Sequence, residues 1–152
     1  MNAPKQFLLF SLDNLRFALP LPNVERVVPA IEVTTLPNAP LIVLGIVNIR
    51  GRIIPVVDIR CRFSLPSKDI MLSDQLIIAA TSKRPVCIVA DEVYGVIECG
   101  DEDIIAPAEI LPGMEHVKGV IKLKDGITLI HDIDGFLSLD EEKALDDAMR
   151  EA

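Results

Sequence analysis

The feature that most constrains this chain is an internal repeat, because a segment of the first half of the sequence returns in register in the second half. The stretch Gly45–Arg60 (GIVNIRGRIIPVVDIR) matches Gly119–Asp134 (GVIKLKDGITLIHDID), with four identical positions and apolar residues facing apolar residues between them. Gly119 follows Gly45 by 74 residues in a chain of 152. This spacing predicts that one structural unit is used twice.

Each copy of the repeat has the turn signal of a β-hairpin at the same place. Gly51-Arg52 suits a two-residue type II′ turn, and Asp125-Gly126 suits type I′. In the first hairpin the ideal register sets Pro55 opposite Asn48, where a proline has no N–H to donate to the ladder. We therefore expect two hairpins, with a bulge or a sheet edge at Pro55.

Short apolar runs rich in β-branched residues fill most of the chain and favour strands over helices. A fainter echo between Arg16–Val28 and Pro85–Ile97, offset by 69 residues, supports the duplication. We expect a mostly β fold of two similar SH3-like five-stranded β-barrels packed together, because closing each sheet removes exposed edges. The runs are Phe7–Leu12, Phe17–Leu21, Ile31–Leu36, Ile46–Ile49, Ile53–Val57, Leu76–Ala80, Val86–Ala90, Val120–Leu123 and Ile127–Ile130.

The expected units follow from these runs. The first barrel should span residues 12–66 and the second 74–136, with a polar linker near Ser64–Asp74, all within one domain of residues 1–152. The sequence is also compatible with an arrangement in which the N-terminal strand belongs to the second barrel. Asp58 and Asp132 should each cap a short helical turn. The capping box Ser138–Glu141 should begin a C-terminal helix over residues 138–150.

Charge and cysteine usage exclude several classes of function. The net charge of −8 disfavours nucleic acid, which needs a basic surface. No apolar run approaches the roughly 20 residues of a membrane span, and no signal peptide is visible, so we expect a soluble cytoplasmic protein. The three cysteines, Cys61, Cys87 and Cys99, have no CxxC spacing. This favours reduced core thiols, and nothing indicates a metal site or a cofactor.

One block of the acidic chain is locally basic. Between Gly45 and Phe63 four arginines, at positions 50, 52, 60 and 62, are opposed only by Asp58. Such a patch suggests an acidic protein partner. The alternative is that these arginines are solvated strand ends.

An enzyme is the remote alternative. Its best constellation is Asp58 with His131 and Asp132, joined by Cys61 or His116. Adjacent strand residues point to opposite faces, so His131 and Asp132 would not cooperate. The chain also lacks a nucleophile elbow, a phosphate-binding glycine loop and a zinc-protease motif. We therefore expect no catalytic residues.

The repeat block also resembles a known family. Gly45–Gly51 (GIVNIRG), followed by Ile54–Arg60 (IPVVDIR), resembles the G-x-x-N-L-R-G…I-P-V-x-D-L-R signature of CheW domains, the adaptors of bacterial chemotaxis. The resemblance extends over residues 6–148. It implies paired SH3-like barrels and a free-standing adaptor that couples the cytoplasmic helical tips of chemoreceptors to the histidine kinase CheA, recruited to membrane-associated arrays. Kinase-binding residues stay unassigned.

The resemblance also assigns candidate receptor-binding residues in the first barrel. Arg50 is the strongest, since its planar fork can hold a carboxylate or carbonyl in a fixed register. The second copy has Lys124 there, which argues for different partners of the two barrels. Structural roles remain as alternatives: Arg50 could brace the turn, Asn48 orient the bulge, and the rest serve backbone or core. The candidates are Val24, Gly45, Asn48, Arg50 and Gly51.

One residue departs from the family pattern. Arg26 stands where an acid is expected after Val24. This favours an alternative in which a CheW-like scaffold serves a CheA-type kinase in pilus or surface-motility control.

Overall fold

The computed structural model describes residues 4–106, 116–124 and 126–151, and about half of these residues lie in short strands. Three 3₁₀ turns, at Leu21–Asn23, Ile59–Phe63 and Asp101–Asp103, and one α-helix, α1 at Leu139–Glu151, complete the described elements. The strands are β1 Lys5–Leu12, β2 Leu15–Pro20, β3 Val24–Pro29, β4 Val43–Ile49, β5 Arg52–Val57, β6 Gln75–Ala80, β7 Pro85–Ala90, β8 Glu92–Cys99, β9 Ile104–Ile105, β10 Val117–Leu123 and β11 Gly126–His131.

The strands form two sheets, and the fold is the expected mostly β pair of SH3-like barrels. The sheet of the first barrel has the order β3-β6-β7-β5-β4. That of the second has the order β8-β1-β2-β11-β10, extended to six strands by the two-residue β9. No helix in the described ranges is long and apolar enough to cross a membrane.

The two hairpins of the repeat have the same register. Gly45 pairs with Val56 in the first, and Gly119 pairs with Ile130 in the second. Each hairpin has a β-bulge just before its glycine, where the register shifts between Val43 and Gly45 and between Val117 and Gly119. The 74-residue repeat therefore describes one bulged hairpin that is built twice.

The fainter echo extends this equivalence to the other strands. Val24 pairs with Ala79 where β3 meets β6, and Val93 pairs with Phe10 where β8 meets β1. In both pairs a bulge follows immediately along β3 or β8. Each strand except the two-residue β9 thus has a counterpart in the other barrel: β3 with β8, β6 with β1, β7 with β2, β5 with β11, and β4 with β10.

Chain order and sheet membership differ, because each half gives its first hairpin to the other barrel. Strands β1 and β2 lie with β11 and β10, whereas β6 and β7 lie with β5 and β4. The division into residues 12–66 and 74–136 does not follow this membership. The segment 64–74 is a loop between β5 and β6 of one sheet, not a linker between units. The chain crosses between the sheets at Leu21–Asn23 and at Asp91.

The described residues form three apolar cores. One lies inside the first barrel and a second inside the second barrel, while the largest joins the two. The inner cores consist largely of equivalent residues, Val47, Ile54, Val56, Leu76, Ile78 and Cys87 in the first and Phe7, Leu9, Ala18, Cys99, Ile121 and Ile130 in the second. Because β5 contributes Ile54 and Val56 to an inner core and Val57 to the joint core, both of its faces are buried.

Some local expectations were wrong. The run Ile31–Leu36 forms only an isolated bridge between Thr34 and Ile46, and the edge strands β3 and β8 were not among the apolar runs. Their outward residues are exposed, which dilutes the apolar signal. Of the three cysteines, Cys61 is exposed rather than in the core.

Pro55 is accommodated without a bulge at its own position. It lies opposite Ile46, not Asn48. The Ile46 N–H donates to the Thr34 carbonyl at 2.7 Å, and the Ile46 carbonyl accepts from the Thr34 N–H at 2.9 Å. The backbone of Ile46 therefore needs no hydrogen bond from Pro55. The bulge lies instead between Val43 and Gly45.

Helix α1 begins at the expected capping box. Ser138 Oγ accepts from the Glu141 N–H at 3.1 Å, and the Ser138 N–H donates to Glu141 Oε1 at 2.8 Å. Leu145 and Ala148 are buried against the joint core, whereas Leu139 is 84% exposed. The buried face of the helix therefore begins at Leu145 and not in its first turn.

Candidate protein-interaction site

The turn between β4 and β5 presents three of the five candidate receptor-binding residues. Ile49 pairs with Arg52, so Arg50 and Gly51 are the two central residues of the turn. Their φ angles are 53° and 84°. Two successive positive φ values are typical of type I′, and the expected type II′ turn at Gly51-Arg52 is wrong. The turn is closed by Asn48, whose Oδ1 accepts from the Gly51 N–H at 2.9 Å.

Arg50 is held in an unfavourable backbone conformation at an exposed position. A left-handed conformation costs a residue with a Cβ about 1–2 kcal/mol. Within the described part of the chain, no hydrogen bond or ion pair of its guanidinium is found. Strain at an exposed charged residue is a feature that functional sites often share. Arg50 thus offers five N–H donors to a partner from a rigid, preformed turn.

The neighbouring Arg52 is already engaged. Its Nη1 lies 2.9 Å from Glu25 Oε2. The hydrogen bond and charge of Glu25 raise the pKa of Arg52. Because Glu25 is the second residue of β3, this pair brings the start of β3 beside the start of β5. Val24, the candidate next to Glu25, is half-buried and packs against the joint core.

Glycine is required at position 45 for a structural reason that is independent of binding. A Cβ at this position would lie 2.3 Å from the carbonyl oxygen of Thr34 and 2.7 Å from Val33 Cγ1. Only glycine permits segment 33–34 to pass so closely over β4. Gly45 is buried within the strand, so it is not part of the exposed turn.

Arg60, another arginine of the basic block, is buried in an ion cluster. Its Nη2 lies 2.7 Å from both carboxylate oxygens of Asp91, and its Nη1 lies 3.1 Å from Asp13. Lys68 adds a contact of 3.2 Å to Asp91. Burial alone would lower the pKa of Arg60, but the bonds to Asp91 and Asp13 outweigh it and raise the pKa. The cluster holds Asp91, where the chain passes from one sheet to the other, against the turn between β1 and β2.

Arg62 is engaged as well. Its Nε donates to the Phe136 carbonyl at 2.7 Å, and its guanidinium pairs with Glu141 of α1. The block from Gly45 to Phe63 is therefore neither a basic patch nor a row of solvated strand ends. Three of its four arginines are neutralised by distant acids, and Arg50 is the cation left to meet a partner.

The residues of the enzyme alternative do not form a site. His131 is fully buried, and neither ring nitrogen has a hydrogen-bond partner among the described residues. Asp58 accepts from the Arg60 N–H at 3.0 Å and caps the 3₁₀ turn, as expected. The His131 ring instead contacts Phe63 and Phe136 at centroid distances of 6.1 and 5.2 Å.

Comparison with known proteins assigns the family. The model of the CheW-like domain matches residues 6–141. The chain belongs to the CheW-like domain family. It is 31% identical to Protein FrzA of Myxococcus xanthus, with 78% of this chain and 74% of that protein covered. It is 23% identical to the chemotaxis protein CheW of Rhizobium meliloti (strain 1021), with 94% of each covered.

A solved structure agrees. The crystal structure of the scaffolding protein TtCheW from Thermoanaerobacter tengcongensis matches with a TM-score of 0.82 at 26% identity, covering 91% of this chain and 96% of that one. The CheW-like fold seen here thus spans nearly the whole chain.

Two further residues belong to the surface around the turn of this CheW-like domain. Ile53 pairs with Asn48 across the hairpin and is 46% exposed. Glu25 orients Arg52 from β3. The signal for Ile53 in the sequence is its position just after the hairpin turn. In the structure Ile54 is buried, so Ile53 points to the opposite, exposed face of β5. No local signal existed for Glu25, since its partner is 27 residues away.

Proposed function

We propose that this chain is a non-enzymatic adaptor that couples chemoreceptors to a CheA-type histidine kinase in the cytoplasm, at membrane-associated receptor arrays. Family membership and the names of the relatives, chemotaxis protein and scaffolding protein, support the adaptor role. The observation that carries the receptor assignment is the exposed, unengaged Arg50 on its type I′ turn. The buried His131 supports a role without catalysis.

In this proposal Arg50 binds a carboxylate or carbonyl at the helical tip of the receptor. A bidentate guanidinium contact fixes the register of the receptor helix as well as adding affinity. Asn48 and Gly51 set the direction of Arg50 by holding the turn. Ile53 supplies apolar area beside it. Val24 contributes at the start of β3, next to Glu25, the partner of Arg52, and Gly45 keeps the shape of β4. Because the turn is preformed, little entropy is lost on binding.

The test is the affinity for a receptor cytoplasmic fragment, measured by fluorescence anisotropy. Arg50→Glu should weaken binding about tenfold or more, as loss of an anchor at an interface does. Lys124→Glu is the matched control, since it makes the same charge change at the equivalent turn of the second barrel. It should bind like the unmodified protein.

Two further readouts separate binding from folding. Arg50→Glu should keep the melting temperature and the affinity for the kinase, because Arg50 has no partner within the described part of the fold. Receptor binding that is unchanged in Arg50→Glu, or weakened equally in both variants, would reject the role of Arg50.

An alternative keeps the adaptor role and changes the pathway to pilus or surface-motility control. Arg26 is exposed on β3 and follows Glu25, the partner of Arg52, so its departure from the family pattern alters the exposed surface of this strand. One relative, Protein FrzA, carries a name other than CheW. The genes neighbouring this one would distinguish the pathways.

A further inference from the structure

Helix α1 is attached to the barrels by three ion pairs along one face. Glu141 pairs with Arg62, which follows β5, whereas Glu142 and Asp146 pair with Lys83 and Arg84 of the β6–β7 turn. The three carboxylates and the three cations are all at least partly shielded from solvent, since no side chain in the three pairs is more than 54% exposed. The groove that holds α1 thus has a basic rim.

The floor of the groove is apolar. It includes Val86, Ile133 and Phe136, which line the same seam as Leu145 of α1. Leu145 and Ala148, on the inner face of α1, are each 2% exposed. The cavity along this seam has a volume of only about 10 Å³, which is scarcely room for one water. The groove therefore fits the apolar face of a helix closely. This is the geometry of helix-in-groove recognition.

Helix α1 itself has the properties of a removable occupant. It has 13 residues, a length at which an isolated helix is marginal in water. Its N-terminal cap is self-contained, because Ser138 and Glu141 satisfy each other without help from the barrels. The helix is also the last described element of the chain, so its release disrupts neither sheet.

We propose that the groove beneath α1 is a docking site for an acidic amphipathic helix of a partner protein, which α1 occupies when that partner is absent. The chemistry of the occupant follows from that of α1. It should carry acids that meet Arg62, Lys83 and Arg84, and apolar residues at the spacing of Leu145 and Ala148. This site is distinct from the Arg50 turn and does not depend on the proposed receptor contact.

The probe is a fluorescently labelled peptide of residues 138–151, added to the full chain. Glu142→Lys combined with Asp146→Lys weakens the attachment of α1 but leaves the groove intact. This variant should bind the peptide about tenfold more tightly than the unmodified protein. The matched control is Asp140→Lys combined with Asp147→Lys, which makes the same charge change on the exposed face of α1 and should bind like the unmodified protein.

A tethered helix provides the second measurement. Asn38 and Glu151 lie outside the basic rim, with the side-chain amide of one 3.4 Å from the carboxylate of the other. Asn38→Cys and Glu151→Cys, in a Cys61→Ser background, can be joined by a short bismaleimide that keeps α1 in place. The joined protein should lose peptide binding, whereas the same variant before joining should retain it. Equal binding in both states would overturn the proposal.

Two other outcomes would also overturn it. If both double-lysine variants bind the peptide equally, the attraction depends on net charge and not on the groove. If the Glu142→Lys, Asp146→Lys variant dimerises without binding the peptide, the groove takes a second copy of this chain by helix exchange.

Discussion

Strand β11 carries two buried polar side chains at positions where the first barrel has apolar ones. Thr128 is the counterpart of Ile54, and His131 is the counterpart of Val57. All four are fully buried, and neither polar side chain has a hydrogen-bond partner among the described residues. Burial, helped by the charge of His116, lowers the pKa of His131 to about 3. The first barrel thus indicates the apolar residues that this strand can accept.

His131→Val should make the protein more stable in weak acid. The unfolded chain protonates His131 below its ordinary pKa of 6.5, but the folded chain resists protonation down to about 3. The stability of the unmodified protein is therefore full above pH 6.5 and falls as the pH decreases below it. Between pH 7.5 and 5.5 the advantage of the variant should grow by about 1.4 kcal/mol. Urea unfolding at both pH values measures this difference.

Thr128→Val is the control. It removes an unpartnered hydroxyl from the same strand and should stabilise by about 1 kcal/mol at either pH, because no titration is involved. An advantage of His131→Val that is independent of pH, or a pH dependence in Thr128→Val, would contradict the assignment of His131.

The residues of the proposed interaction site can be predicted from the sequence where their contacts are local. Asn48, Arg50 and Gly51 form one turn, so the motif brings them together. The roles of Arg52, Arg60 and Arg62 could not be predicted, because their acidic partners are 27, 31 and 79 residues away. In the sequence alone their charges resemble a basic patch, because the acidic partners lie far away along the chain.

At the scale of elements, the two hairpins differ in how tightly another segment crosses them. A Cβ on Gly45 would meet a backbone oxygen at 2.3 Å, whereas a Cβ on Gly119 would meet the side chain of Ile104 at 3.0 Å. A backbone segment that is itself bridged to β4 cannot move aside, but a side chain can.

Gly45→Ala should therefore destabilise the protein by about 3 kcal/mol, at the upper end of single substitutions. Gly119→Ala should cost about 1 kcal/mol, because Ile104 can adjust. Chemical denaturation followed by circular dichroism gives both values. Equal losses in the two variants would contradict the close crossing at Gly45.

The existence of both hairpins could be predicted, but the turn of the first was off by one residue. Glycine permits either turn type, and the hydrogen bond from the Gly51 N–H to Asn48 Oδ1, which selects the observed register, is not visible in the sequence. Pro55 is the residue that indicates the error in the predicted register. In the observed register it lies opposite Ile46, so it is no longer set against Asn48. Of the second turn, Asp125 lies outside the described residues.

At the scale of the whole molecule, the exchange of first hairpins makes each barrel depend on both halves of the chain. The parallel pairs β5–β7 and β11–β2 join strands from different halves within each sheet. The fold class followed from the sequence because strand periodicity and the repeat are local. The barrel boundaries did not follow from the sequence. Two equal repeats are compatible both with barrels that exchange their first hairpins and with barrels that keep them.

The exchange predicts that neither half folds alone. A fragment of residues 1–70 lacks β6 and β7 of the first barrel, and a fragment of residues 71–152 lacks β1 and β2 of the second. Each should show an unfolded circular dichroism spectrum, and mixing them should restore the native spectrum. A folded spectrum of either fragment by itself would contradict the exchanged arrangement.

The central claim, that this chain is an adaptor, is tested most directly by co-sedimentation of the CheA-type kinase with receptor-containing membranes. The kinase should pellet with the membranes when the unmodified chain is present, should stay in the supernatant without it, and should pellet far less with Arg50→Glu than with Lys124→Glu. Kinase that pellets equally with and without the chain would contradict the account.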